Sequence, residues 1–86
     1  MPYQISILPS ARRSLSRLDQ KTREWISQKI DSLVYDPRPS GVKKLKGNHN
    51  LWCVRAGNYR IVYSIHDKAL IVYVIDIDDR KNIYRK

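Results

Sequence analysis

The 86-residue sequence has no phenylalanine, a single cysteine, three glycines and four prolines. With Cys53 alone no internal disulfide can close, so burial has to hold the fold. No Gly-, Ser- or Pro-rich stretch marks a linker, and half of this length would fall below the size at which burial sustains a core. One domain over residues 1–86 is therefore expected. No apolar run is long enough for a membrane span, and the opening MPYQISILPS lacks a signal-peptide core, which points to the cytoplasm and away from membranes. Acid is the other shortage: eight Asp and Glu stand against 17 Lys and Arg, for a net charge of +9. From Pro37 to His66 there is none at all, against six basic residues, Arg38, Lys43, Lys44, Lys46, Arg55 and Arg60. Such a chain calls for a polyanion or an acidic protein as partner, nucleic acid first. The one acidic cluster, Asp76, Asp78 and Asp79, has no His or Cys companions at ligand spacing, so neither a metal nor any other cofactor is expected. His49 and His66 fall in expected turns and read as solvated.

What is present is regular patterning. Tyr3, Ile5 and Ile7 alternate with Gln4 and Ser6, the period of a half-buried strand, and Pro9 ends it. Ser10 is the candidate N-cap of a helix carrying Ala11, Leu15 and Leu18. Asp19 is the candidate cap of a second, longer helix striped by Ile26, Ile30, Leu33 and Val34 as far as Asp36-Pro37. Arg12, Arg13, Arg17, Lys21, Arg23 and Lys29 fall on the outer faces. A loop, DPRPSG, leads to three strand-like runs, LWCVR, YRIVYSI and ALIVYVIDI, joined by turns at AGN and HDK. The expected architecture is α+β: β-α-α-β-β-β, a helix hairpin packed on one face of a mainly antiparallel four-stranded sheet.

Alternation assigns Trp52, Val54, Tyr59, Ile61, Tyr63 and Ile65 to the face beneath the helices and leaves Cys53, Arg55, Arg60, Val62 and Ser64 on the other. Two guanidiniums on adjacent strands can hold one phosphate by planar, bidentate contacts. The alternative is a solvated sheet face whose charges are idle. Strict alternation in the third run puts Ile71, Tyr73, Ile75 and Ile77 on one side with Val72 and Val74 on the other, leaving apolar surface for a partner to cover. Cys53, between apolar neighbours, reads as a small filler rather than a nucleophile.

Three motifs stand out: Lys44-Leu45-Lys46-Gly47, the hairpin Gly57-x-Tyr59-Arg60-Ile61-x-Tyr63, and Arg80-x-x-x-Tyr84. Together, over essentially the whole chain, they resemble the RelE-like toxins of bacterial toxin–antitoxin pairs. The resemblance implies a compact toxin that enters the ribosomal A site and cleaves mRNA there without a metal, held silent by a tightly bound antitoxin. It implies catalytic roles at the scissile phosphate for Arg55, Arg60 and Arg80, and for Tyr84 against a base. Lys43, Lys44, Lys46, Arg12, Arg13 and Lys21 are the expected RNA contacts. The chain departs from the pattern at Cys53, where some members have lysine, and at Asp79, where many have histidine. The general base is therefore open among Lys44 or Lys46 with a depressed pKa, and Asp79. The implied partners are the ribosome with its A-site mRNA and an antitoxin. The antitoxin is expected to be acidic and partly disordered when free, in a higher hetero-oligomer. Two other functions stay open: a ParE-like toxin of the same fold that acts on DNA gyrase without nuclease chemistry, and a basic nucleic-acid-binding module without turnover.

Overall fold

The computed structural model describes residues 2–45 and 50–79. In chain order they form β1 (Gln4–Ile7), α1 (Pro9–Ser16), α2 (Gln20–Ser32), β2 (Lys43–Lys44), β3 (Leu51–Ala56), β4 (Tyr59–His66) and β5 (Ile71–Asp79). Pro9 opens α1, where its missing N–H costs nothing, and the N-cap is Leu8, with no side-chain cap. Ser10, the expected cap, instead donates its hydroxyl to the carbonyl of Ile75 and so ties the helix to β5. Asp19 does cap α2: its Oδ2 accepts from the Thr22 N–H at 3.2 Å. The Thr22 hydroxyl, and after it this backbone N–H, hold the Asp19 carboxyl below its ordinary range.

The strands make one sheet in the order β1-β5-β4-β3-β2. β1 runs parallel to β5, with Gln4 opposite Ile71, and every other pair is antiparallel. The α+β class is as expected, with five strands in place of four. The additional strand is Lys43–Lys44, paired with Cys53 and Trp52. Two residues are too few to carry an alternation signal, which is why the sequence hides them.

Both helices lie on one face. Ala11 of α1 and Ile26 and Ile30 of α2, with Leu33, pack on Val54, Ala56, Ile61, Tyr63, Ile65, Val72, Val74 and Ile77. Each larger side chain in such a core contributes roughly 1.5–3 kcal/mol. Tyr63 is 0% exposed. Its hydroxyl donates to the Pro37 carbonyl at 2.7 Å, so the burial that raises its pKa strands no polar group.

The faces of β3 and β4 are those alternation assigns, but β5 differs. Tyr63 pairs with Val74 and Val62 with Asp76, so Ile75 is left without a register partner: a β-bulge. The extra residue shifts the phase. Val72, Val74 and Ile77 are all buried in the core, so Ile77 does not share a side with Ile71 and Tyr73. The same shift brings Asp76 opposite Val62 and Asp78 opposite Arg60.

Candidate nucleic-acid interface

The β3–β4 hairpin turns at Gly57-Asn58. Gly57 has φ +62° while Asn58 is not in the left-handed region, the pattern of a type II′ turn that fixes strand register. Its consequence is that Arg55 and Arg60 are direct cross-strand partners, on the face opposite the helices. Like charges so placed repel, and the two side chains lean different ways. Arg55, exposed, donates Nε–H to the Gly57 carbonyl at 3.2 Å, toward the turn. Arg60 leans diagonally back to Cys53, whose thiol it contacts. The structure thus brings the arginines onto one face and into one register position, with their side chains held by different partners. Asp78 is Arg60's neighbour on its other side.

Cys53 is 5% exposed. Burial pushes its thiol pKa up, and the positive charges of Arg60 and Lys43 offset part of that rise. A thiol held neutral is a poor nucleophile, in keeping with a packing role. Lys43, opposite Cys53, belongs to the arginine face. Lys44 does not: it pairs with Trp52, and its Nζ lies 5.7 Å from that ring's centre, on the helix side. Arg12, Arg13 and Lys21 are exposed on the helix layer, away from Arg55 and Arg60, with Arg12 Nε donating to the Ile7 carbonyl at 3.1 Å. Lys46, His49, Arg80 and Tyr84 lie outside the described residues. Asp79 ends β5 opposite Tyr59 in register.

Several contacts around the site have no signal in the sequence. Trp25 of α2, 50% exposed, lays its indole against the β3–β4 turn. A Cβ on Gly57 would come 2.3 Å from Trp25 Cη2 and 2.4 Å from Cζ3. Asp76 accepts from Ser14 of α1 at 3.2 Å and from the Ile77 N–H at 2.9 Å. At the far end of β4, His66 Nε2 lies 3.0 Å from Ser64 Oγ, with its ring edge-on to Tyr73. There too Arg38 grips both oxygens of Asp67, at 3.1 and 2.9 Å, while Tyr3 donates to Oδ1 at 2.6 Å. The Arg38 guanidinium and the Tyr3 hydroxyl together hold the Asp67 carboxyl down at about 2. A bound carboxylate partner three decades up the chain leaves no signal in periodicity, whereas the Gly57-Asn58 turn did predict the Arg55–Arg60 pairing.

Among the described residues no group of three or more His, Cys, Asp or Glu is placed to hold a metal, and no helix is long and apolar enough to cross a membrane. Chemically, the open face offers fixed cations: planar donors on Arg55 and Arg60 and a point charge on Lys43, suited to a phosphate and its flanking backbone.

Known proteins agree with this geometry. A family model describing the ParE toxin of type II toxin–antitoxin systems matches residues 5–84. Toxin RelE of Mycobacterium tuberculosis is 32% identical over 85 residues, spanning 98% of this chain and 88% of that protein. The mRNA interferase toxin RelE of Escherichia coli is 26% identical, spanning 94% and 86%. Among solved structures, the archaeal RelE–RelB complex of Pyrococcus horikoshii superposes with a TM-score of 0.82 at 27% identity, covering 93% of this chain and 97% of the other. The RelBE2 toxin–antitoxin complex of M. tuberculosis gives 0.82 at 25% identity, covering 93% of each. With a matched fold, a matched family model over nearly its whole length and a cationic sheet face, this chain belongs to the RelE/ParE superfamily and is a toxin of a type II toxin–antitoxin system.

Proposed function

We infer that this toxin is a ribosome-dependent endoribonuclease that cleaves mRNA in the A site without a metal and thereby stops translation. The observation that carries the reading is the Arg55–Arg60 cross-strand pair on the helix-free face, with Lys43 beside it. The naming of its E. coli relative as an mRNA interferase supports it. In the reaction the 2′-hydroxyl attacks the adjacent phosphorus and gives up its proton. The phosphorus–O5′ bond breaks and the 5′-oxygen is protonated, leaving a cyclic 2′,3′-phosphate and a 5′-hydroxyl. Arg60 and Arg55, with Arg80, stabilise the negative charge that grows on the phosphate oxygens. Tyr84 stacks on a base and orients it. Lys43 and Lys46 hold the flanking RNA, and the exposed Arg12, Arg13 and Lys21 meet ribosomal RNA. His66, at the far end of β4, is remote from the pair, so the chemistry leans on positioning and charge, which a ribosome-bound message supplies.

Its partner in this reading is an acidic antitoxin, partly disordered alone, that packs on apolar toxin surface and pairs with the acid-free stretch, in a higher hetero-oligomer. The archaeal structure this fold resembles is a RelE–RelB complex, which supports an antitoxin partner. The test is primer extension on an mRNA in a translating extract, beside the same message free of ribosomes. Cuts confined to ribosome-bound message are expected. Equal cutting of naked RNA would overturn ribosome dependence. A second reading, a gyrase-directed toxin, is favoured by the ParE description of the family model. Inhibition of gyrase supercoiling without any mRNA cut would establish it in place of the first.

A further inference from the structure

We propose that Trp25 is a positioning residue for Arg55, acting through the Gly57 carbonyl. A half-exposed tryptophan on an outer helix face is a costly place for a large apolar ring unless its inner part is spent on something. Here that something is the backbone of one turn. The ring stands where a Gly57 side chain would be, 2.3 Å from the Cβ position, so indole and main chain are in direct contact. Gly57 therefore has two reasons to lack a side chain: its φ of +62° and the ring above it. The carbonyl of this same residue accepts from Arg55 Nε at 3.2 Å. Ring, turn and guanidinium form a chain of contacts running from the helix layer, around the end of the sheet, to the opposite face.

The physical effect is on the entropy of the arginine. An exposed arginine samples many rotamers, and a hydrogen bond at Nε removes most of them only if the acceptor itself is fixed. A two-residue turn at a sheet end is the part of a hairpin freest to rock, and Trp25 blocks that motion from one side. Arg55 then presents its two terminal nitrogens, the bidentate pair, in one orientation near the turn, ready to meet a phosphate on the open face. Removing the ring leaves the fold's core intact, because Trp25 is not part of it, and loosens only the acceptor.

The inference rests on the nuclease reading for its kinetic arm but not for its spectroscopic one. In the purified toxin, the Arg55 Nε–H proton should exchange slowly with solvent by NMR. Trp25→Ala should speed that exchange by about fivefold or more, and Trp25→Phe should restore most of the protection. With saturating programmed ribosomes, Trp25→Ala should lower the single-turnover cleavage rate about tenfold while ribosome affinity holds. In an Arg55→Ala background the same substitution should add nothing, since its effect passes through that arginine. Equal losses in both backgrounds, or an Arg55 exchange rate indifferent to Trp25, would overturn the proposal. Should Trp25→Ala lose native circular dichroism, Trp25→Leu, which keeps an apolar body without the ring, replaces it. If the unaltered toxin cuts no ribosome-bound message, the nuclease reading falls, and the exchange measurement still decides the role of Trp25.

Discussion

The two ends of strand β4 carry arginines in opposite circumstances. Beyond its last residue, at Asp67, Arg38 is matched on every side: a carboxylate bound through two nitrogens, a tyrosine hydroxyl on the same carboxylate, and the Trp52 ring 5.0 Å from its centre. Near its first residue, Arg60 stands directly across from Arg55, and Arg55 is met by a backbone carbonyl that carries no net charge. Placing two like charges directly across a strand pair costs stability, whereas the Arg38 cluster adds to it. Residue type is therefore no guide to role. An arginine bound to a carboxylate through two nitrogens is a fastener, and one held by a neutral carbonyl, as Arg55 is, keeps a charge suited to an anion brought from outside.

This contrast can be broken from either end. The largest effect is expected at the facing pair: Arg60→Ala should stay folded by circular dichroism and lose roughly ten- to a thousandfold in cleavage of ribosome-bound mRNA, the range for losing one donor to a transition-state oxyanion. Next comes the turn that sets the pair. Gly57→Ala forces a Cβ into the Trp25 ring at a φ of +62°, and urea denaturation should show a loss of about 2 kcal/mol or more. Arg38→Ala sharpens the comparison from the other side. Cleavage should be unchanged, while the melting temperature drops by roughly 2–6 °C, as fits an exposed ion pair with an aromatic contact. The smallest effect is a pH dependence. Asp67 has a folded pKa of about 2, below the ordinary 3.8, so the folded state binds its proton less readily than the unfolded one. Its stabilisation is therefore complete above about pH 4 and disappears as pH falls toward 2. Melting curves of the protein and of Asp67→Asn should differ at neutral pH and draw together in that window.

Much of the fold can be read in the sequence because the physical rules involved are local. Alternation marks β1, β3 and β4, the spacing of Ile26, Ile30 and Leu33 marks α2, and Asp19 marks its start. Even the site's central pairing is local, since a turn at Gly57-Asn58 leaves one register for Arg55 and Arg60. The misreadings have a common cause in contacts between distant segments. Ser10 looks like a cap and serves instead as a bond to the Ile75 carbonyl, and the bulge at Ile75 is invisible inside an apolar run that accepts either phase. Lys44 parts from Lys43 because a two-residue strand alternates as any other does, sending one lysine to the arginine face and the next to Trp52. The Trp25–Gly57 contact joins a helix to a turn with no shared periodicity, so only coordinates disclose it.

The parallel pairing of β1 with β5 sets a timetable for the nascent chain. Gln4 reaches its partner only when Ile71 has been made, so the first strand to leave the ribosome waits for the last. Contacts of such sequence separation close slowly, and the loop between them must be organised first. α1, bonded to β5 through Ser10 and Ser14, waits with it. During synthesis the β3–β4 hairpin can form while its neighbour on the β5 side is still missing, and the arginine face then lacks Asp78 and the rest of that wall. The sheet is thus complete only after β5 has been polymerised, an interval in which a co-expressed antitoxin can already be waiting.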